Sequence, residues 1–445
     1  MPHNPHRLIR LAGAAVLTLS LAACGGALAP GSSNNEANDS AGPVSTTVPG
    51  KDVTLKIAVV DAPDMVKKLA VAYHKKHPNV TIKTQYTQFD DYVKNIKLTM
   101  SSDTAPDIAQ FNSGAMQSII AAGLLRNLDP YSKAYQWKGA FPAIGLQQLS
   151  TDKTGKTFGT GSLYAVPAGM SLVGVFYNKK LASKAGITAP PKTFADFEKD
   201  LAKAKKAGQQ PLAVGALDTG ALHVWAELVN INMPLDKYRT WVYGRDGGTI
   251  KTPGAKAATE KIQEWAQKGY IPKSANGTSE NDSAAHFRQG AATFTVNGNW
   301  EAAKMAKSMG SNVGFFAMPP KQPGGTTTGN GYSVSYALSS KSDHPNVAAN
   351  FLDFLHSAKA AKIESEGGFL PANAEAAPEV SGVLGDLSHA YQKVVEDDGI
   401  QQFPDASAPA MLDKLQSGLQ KVLAGRMEPD AFLTSLQQTW ESYHK

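Results

Sequence analysis

The sequence has 445 residues, of which 42% are hydrophobic and 18% are charged, and its formal net charge is +6. This length exceeds one ordinary hydrophobic core, so the composition indicates a soluble globular protein of two domains rather than a disordered or fibrous chain. Lysines and arginines are dispersed and no basic patch is interleaved with aromatic residues, which argues against a nucleic-acid-binding surface. A single cysteine, Cys24, excludes an internal disulfide.

Residues 1–23 have the layout of a secretory signal peptide. Two arginines precede an apolar run from Leu11 to Ala23, which is too short to span a bilayer as a permanent helix. Residues 24–51 are rich in Gly, Ser, Asn and Ala and contain few apolar anchors. We therefore predict a flexible tether that ends where the folded part begins, near Asp52.

The folded part opens with alternating strands and helices. Strands are predicted from Val53 to Val60 and from Val80 to Tyr86, with a helix after Asp61 and another from Phe89 to Met100. A third, short strand ends at Phe111, which Asn112 follows. This alternation predicts an α/β lobe whose strand ends face a crevice.

The stretch from Leu163 to Leu181 is apolar on both alternating faces and predicts a buried strand. Ala168, Gly169 and Met170 interrupt it. We therefore expect the chain to cross here from one lobe to a second, with a ligand cleft between the two.

The second half repeats the alternation of helices and strands. Thr193 is predicted to cap a helix, and the run Asn297–Trp300 follows a strand with a turn at Gly298 that exposes the Trp300 ring. Further helices are predicted at His223–Ile231, at Ala255–Lys268, after Pro345 and from Ala410 to the end, and further strands at Val313–Met318 and Gly331–Leu338.

Taken together, these segments resemble the extracellular solute-binding proteins of bacterial ABC importers, in the group of the maltose- and oligosaccharide-binding proteins. The motifs that carry the resemblance are Leu-Ala-Ala-Cys at Cys24, Ala105–Ile108, Ala121–Leu125, Tyr164–Asn178, Pro191–Phe194, Phe287–Trp300, Ser339–Lys341, Gly367–Pro371 and Leu423–Ala431. It implies a two-lobed periplasmic-binding-protein-like α/β fold, with two doubly wound lobes, a multi-strand hinge and a ligand cleft. We expect a first lobe of residues 52–167 and 329–396 and a second of residues 168–328 and 397–445.

The same resemblance implies a binding protein without catalytic activity, cofactor or metal. Cleavage before Cys24 and lipidation of its sulfur would anchor a monomer to the outer face of the cytoplasmic membrane. Its partners would be a sugar ligand and the transmembrane subunits of an ABC permease, with no nucleic acid among them.

A sugar site needs aromatic platforms and polar groups that pair hydroxyls. On the resemblance and on position at strand ends or cleft loops, the candidate contacts are Asp61, Phe89, Phe111, Asn112, Trp225, Asn299, Trp300, Tyr332 and Phe403. Met170 stands where many oligosaccharide binders carry a polar contact, which weakens the case for a maltose-like specificity.

Two alternatives stay open. The same fold could bind a non-sugar solute such as a polyamine, a peptide or a glycerophosphodiester, which would require paired charges in the cleft. A secreted carbohydrate-active enzyme would require two carboxyl groups held across a substrate. The sequence contains no metalloprotease, esterase or phosphate-loop motif.

Overall fold

The computed structural model describes residues 43–111, 113–141, 143–371 and 376–445. The predictions for the signal peptide, for lipidation of Cys24 and for Asn112 fall outside these residues.

The described elements alternate between strands and helices. Those before the first crossing are β1 (Val53–Val59), α1 (Pro63–Lys76), β2 (Val80–Tyr86), α2 (Phe89–Ser101), β3 (Ile108–Phe111), α3 (Ser113–Ala121), α4 (Asp129–Tyr135), α5 (Trp137–Ala140), α6 (Ala143–Gln148), β4 (Ser150–Thr151), β5 (Ser162–Leu163) and β6 (Ala165–Met170). Those between the crossings are β7 (Val173–Asn178), α7 (Lys179–Lys184), α8 (Phe194–Lys206), β8 (Leu212–Ala213), α9 (Gly220–Asn232), α10 (Leu235–Val242), α11 (Pro253–Gln267), α12 (Glu280–Arg288), β9 (Phe294–Gly298), α13 (Ala302–Met309) and β10 (Val313–Phe316). The remainder are β11 (Gly329–Asn330), β12 (Ser333–Leu338), α14 (Pro345–Phe354), α15 (Ala358–Glu366), α16 (Val383–Glu396), β13 (Ile400–Gln401), α17 (Met411–Leu423) and α18 (Pro429–His444).

Two sheets define two lobes. The first lobe contains the sheet β2-β1-β3-β12-β6, in which β1 is parallel to β2 and β3, and β12 is antiparallel to its neighbours. The second lobe contains the sheet β10-β7-β9-β8, in which β8 and β9 alone run parallel. Helices α1, α14 and α15 pack on the first sheet, and α9, α12 and α16 on the second. The predicted two-lobed α/β fold is confirmed.

The first crossing between the lobes lies at Ser171 and Leu172, between β6 and β7. The three residues expected to interrupt the strand, Ala168 to Met170, are instead part of β6. Both crossing residues are fully buried, and the backbone N–H of Ser171 donates to the carbonyl of Tyr332 at 2.8 Å. The chain therefore changes lobe within a packed and hydrogen-bonded segment.

The boundary expected between the lobes at Asp397 lies too late in the chain. Helix α16, which was assigned to the first lobe, packs against β10 and α13 of the second. Strand β13 then pairs in parallel with β11 to form a separate two-stranded hinge sheet. An amphipathic pattern shows that a helix has a buried face but not which sheet covers it, so the sequence could not assign α16.

The start of the folded part also lies earlier than the expected Asp52. The backbone N–H of Ser45 donates to Asn346 Oδ1 at 3.1 Å, and Asn350 Nδ2 donates to the carbonyl of Thr46 at 3.2 Å. Val48 packs against the core of the first lobe. The segment from residue 43 to residue 51 is thus held on the first lobe by contacts that composition alone does not predict.

A buried polar network joins the hinge sheet to the second lobe. Glu227 on α9 accepts the backbone N–H of Asn330 through Oε1 at 2.7 Å. Asn330 also accepts from Asn230 Nδ2 at 2.8 Å and donates to the carbonyl of Gln402 at 2.9 Å. Burial raises the pKa of Glu227 to about 8, although the hydrogen bond from Asn330 opposes this rise. The carboxyl group is therefore protonated at neutral pH.

We expect Glu227→Gln to remove a pH dependence of stability. Because the pKa rises on folding from about 4.5 to about 8, the folded chain holds a proton that the unfolded chain releases, and stability falls as pH rises through that window. The slope would be at most about 1.4 kcal/mol per pH unit. In urea unfolding from mildly acidic to mildly basic pH, the free energy of unfolding of the variant should increase relative to that of the unsubstituted protein as pH rises. Glu260→Gln, at an exposed position of α11, is the control, and parallel curves for all three proteins would contradict the prediction.

Within the described part of the chain, no helix combines the length and apolar character needed to cross a membrane.

Candidate functional site

A cavity of about 710 Å³ lies between the two lobes, and we call it the interlobe cleft. The first lobe contributes residues at the ends of β1 and β2 and the first turns of α1 and α2. The second lobe contributes the first turns of α9 and α12 and the start of α13, and the hinge contributes Tyr332 and Phe403. The cleft therefore lies at strand ends and helix N-termini, where open α/β sheets bind ligands.

One wall of the interlobe cleft is aromatic. The Trp300 ring lies 5.3 Å from the His223 ring and 6.3 Å from Phe403, measured between centroids. Phe403 in turn packs against Tyr332, with centroids 5.3 Å apart at 78°. Trp300 and Tyr332 are partly exposed, as is Phe89 across the cleft. These rings offer an apolar platform to a ligand.

The position of the Trp300 ring depends on Gly298. A Cβ atom at Gly298 would lie 2.0 Å from Cζ3 of Trp300, well inside any real contact. The backbone of Gly298 is extended, with φ −88° and ψ 164°, so the expected sharp turn at this residue is wrong. Glycine is required at position 298 because a side chain there would occupy the space of the indole. The backbone angles themselves are open to other residues.

Glu280 connects the aromatic wall to helix α9. Its Oε1 accepts the indole N–H of Trp300 at 3.0 Å, and its Oε2 lies 3.1 Å from Nε2 of His223 and accepts the hydroxyl of Thr219. Burial opposes ionisation of this carboxyl, but the electrostatic interaction with His223 and the three hydrogen bonds outweigh it and lower the Glu280 pKa to about 2. Glu280 is thus an ionised anchor that fixes three side chains of the cleft wall.

Asp61 presents a second carboxyl group on the opposite side, at the end of β1. It accepts the hydroxyl of Tyr332 at 2.5 Å. Burial raises the Asp61 pKa, the Tyr332 hydrogen bond opposes this rise, and the charge of Glu280 adds to it. The next residue, Ala62, has left-handed backbone angles with φ 46°, which costs of order 1 kcal/mol in a residue with a side chain. This local strain lies at the cleft.

The structure brings five of the nine predicted contacts together in the interlobe cleft, namely Asp61, Phe89, Trp300, Tyr332 and Phe403. Phe111 and Trp225 do not reach it. Phe111 is a core residue of β3, and Trp225 is fully buried, with its N–H donating to Thr259 at 2.9 Å. Position at a strand end or on a helix near the cleft did not separate these two core rings from cleft rings, and we withdraw both as candidate contacts.

Asn299 is also withdrawn as a ligand contact, because its side chain is buried and fully used within the protein. Its Oδ1 accepts the backbone N–H of Leu172 at 3.1 Å, and its Nδ2 donates to the carbonyls of Met170 at 3.1 Å and Gly368 at 3.0 Å. Asn299 therefore holds the first crossing between the lobes.

Among the polar cleft residues that sequence reasoning missed are Asp218, Thr219, His223 and Glu280. Ser279 accepts the backbone N–H of Asp282 as a helix N-cap, so Glu280 looks from sequence like an ordinary first-turn acid. His223 lies within an apolar helix. The available signal was an acidic residue near the start of each of two helices, with Asp218 shortly before α9 and Glu280 in the first turn of α12, which a cap also explains.

In the described ranges, no three His, Cys, Asp or Glu side chains come close enough to hold a metal ion.

Comparison with known proteins agrees with this architecture. Residues 59–362 match the family described as bacterial extracellular solute-binding protein. A binding protein of Brucella abortus is 24% identical over 376 residues, which cover 81% of this chain and 85% of that protein. A maltooligosaccharide ABC transporter solute-binding lipoprotein of Streptococcus pneumoniae is 26% identical over 260 residues, 56% of this chain and 58% of that protein. A solved chitin oligosaccharide binding protein shares the fold, with a TM-score of 0.74 at 20% identity over 88% of this chain and 99% of that one.

Proposed function

The chain belongs to the family of bacterial extracellular solute-binding proteins, and we propose that it is the substrate-binding lipoprotein of an ABC importer. In this proposal it captures a sugar or oligosaccharide in the interlobe cleft and delivers it to a membrane permease. The names of the maltooligosaccharide-binding and chitin oligosaccharide binding relatives support the ligand class.

One observation carries the sugar assignment: the partly exposed indole of Trp300 lies beside polar groups in the interlobe cleft. A sugar presents flat C–H faces that stack on an aromatic ring and hydroxyls that donate to carboxylates. Trp300 offers the first contact, and Asp61 and Asp218 offer acceptors on either side. Lobe closure over such a ligand is a hinge motion around the segments at Ser171 and β11–β13.

The membrane tether is part of the same proposal. Cys24 would carry the lipid at the outer face of the cytoplasmic membrane, and the name of the pneumococcal lipoprotein supports this. Metabolic labelling of expressing cells with a palmitate analogue should label the full chain and not a Cys24→Ser variant. Labelling of both proteins alike would overturn the anchor.

The binding function is tested by calorimetry and thermal unfolding of the protein from Pro43 onward against mono-, di- and oligosaccharides, with spermidine and short peptides as controls. A ligand at a hundredfold excess over Kd stabilises the folded state by about 2.7 kcal/mol. Stabilisation by one saccharide class without product formation supports the proposal. Stabilisation by spermidine or a peptide alone would overturn the sugar assignment, and hydrolysis of a saccharide would overturn the assignment as a binding protein.

We expect Gly298→Ala to weaken saccharide binding about tenfold, because the added methyl group displaces the Trp300 ring from its place beside Glu280. The measurement is the calorimetric Kd for the saccharide that stabilises the protein. Gly277→Ala, where a Cβ would meet no atom within 4 Å, is the matched control. Equal affinity of the two variants would contradict the role assigned to Gly298.

A further inference from the structure

The interlobe cleft has a surplus of negative charge. Among the described residues, eight carboxyl side chains and three lysines line it. Two of the lysines are already paired with cleft carboxylates: Lys304 lies 2.5 Å from Glu301, and Lys68 lies 3.7 Å from Glu366. Glu280 is held by His223, Thr219 and Trp300. The charge of Lys307 does not balance the four further acids Asp61, Asp64, Asp90 and Asp218.

Carboxyl groups of both lobes line the same cavity, with Asp61 and Asp90 in the first lobe and Asp218 and Glu280 in the second. Burial raises the pKa of Asp218 in the second lobe, and the charges of Glu280 and of Asp90 in the first lobe add to this rise. Burial is also the main cause that raises the pKa of Asp61 in the first lobe, and the charge of Glu280 raises this pKa further. Like charges therefore act on one another at two places in the cleft, which costs free energy that a positively charged ligand would recover.

The aromatic wall provides a second, independent reason to expect a cation. The faces of Trp300, Tyr332 and Phe403 lie next to the acidic groups, and an ammonium group beside such faces gains a cation–π attraction. His223, which is 5% exposed and lines the same wall, has a buried Nδ1 atom without a hydrogen-bond partner in the described part of the chain. It is thus a polar group of the cleft wall whose hydrogen bond the described part of the protein does not supply.

We infer that the interlobe cleft selects a saccharide that carries a protonated amino group, with the ammonium group between Asp90 and Asp218 and the sugar ring on Trp300. This inference rests on the proposed sugar-binding function and narrows its ligand to an amino sugar. The carboxylates neutralise the ammonium group, and its arrival between the lobes favours closure.

Matched pairs of saccharides test the inference: glucosamine against glucose, galactosamine against galactose, and chitobiose against cellobiose, at mildly acidic pH and low salt. We expect the amino member of at least one pair to bind at least tenfold more tightly by calorimetry, and added salt to weaken that member more than its neutral partner. Equal or tighter binding of the neutral members overturns the inference and leaves the sugar-binding function in place. Binding of spermidine in preference to every saccharide, or of no probe at all, overturns both.

Variants locate the charge that is responsible. Asp218→Asn keeps an Oδ1 acceptor for the backbone N–H of Glu280, which lies 2.7 Å away, and removes only the charge. The two variants Asp218→Asn and Asp90→Asn should lower the preference for the amino member of the pair at least about tenfold. Asp91→Asn makes the same change at an exposed neighbour on α2 that does not line the cleft, and should keep the preference. An unchanged preference in the Asp90 and Asp218 variants would overturn the assigned place of the ammonium group.

Discussion

Replacing Trp300 by alanine should weaken saccharide binding at least about tenfold, or roughly 1.4 kcal/mol, while the protein stays folded. The ring is the exposed platform of the interlobe cleft, and its removal also leaves Oε1 of Glu280 without its indole donor. The fold should survive because Trp300 is only partly buried, unlike the fully buried Trp137, Trp225, Trp241 and Trp265. Calorimetry gives the affinity, and thermal unfolding without ligand shows whether the fold is intact.

Trp300→Phe separates the two roles of the side chain. Phenylalanine keeps an aromatic face but cannot donate to Glu280, so an intermediate loss of affinity is expected. If alanine binds as tightly as tryptophan in a folded variant, Trp300 is not part of the ligand site.

Glu280→Gln should destabilise the protein by roughly 2–4 kcal/mol at neutral pH and weaken ligand binding as well. The charge of Glu280 is stabilised by His223 and by the donors of Thr219 and Trp300, and neutralising one partner of a buried ionic network leaves its other members without their partner. Urea unfolding at neutral pH measures the first effect, and calorimetry the second.

The same substitution should change the response to acid. The pKa of Glu280 falls on folding from about 4.5 to about 2, so its contribution to stability is complete above about pH 4.5 and is lost as pH falls toward 2. The difference between the unsubstituted protein and Glu280→Gln should therefore shrink across that window. The exposed Glu260→Gln serves again as control, and a constant difference down to low pH would show that Glu280 is not ionised in the folded protein.

Much of the fold could be predicted because it depends on local periodicity and caps. Thr193 accepts the backbone N–H of Asp196 at 3.2 Å as the capping pattern indicated. Asp107, within the Ala105–Ile108 motif, accepts the backbone N–H of Lys56 at 2.8 Å and the hydroxyl of Ser342 at 2.6 Å. The assignment of α16 could not be predicted, because it depends on contacts with a sheet distant in sequence.

The candidate site was predictable where a residue type and a strand end coincide, as at Asp61 and Trp300. Prediction failed for Trp225, because an aromatic residue on a largely apolar helix has the same sequence pattern whether it faces core or cleft. It also failed for Glu280, whose part in the site comes from the convergence of α9, α12 and the turn of Trp300. No local sequence pattern indicates that these three segments come together.

The most direct test of a ligand held between the lobes is tryptophan emission, because Trp300 alone among the six tryptophans lines the interlobe cleft. The other five are buried elsewhere in the protein. We predict that a saccharide that binds by calorimetry will change the emission of the unsubstituted protein, and that the change will be absent from Trp300→Phe while that variant still binds. A saccharide that binds without altering the emission, or alters it equally in Trp300→Phe, would contradict binding in the cleft.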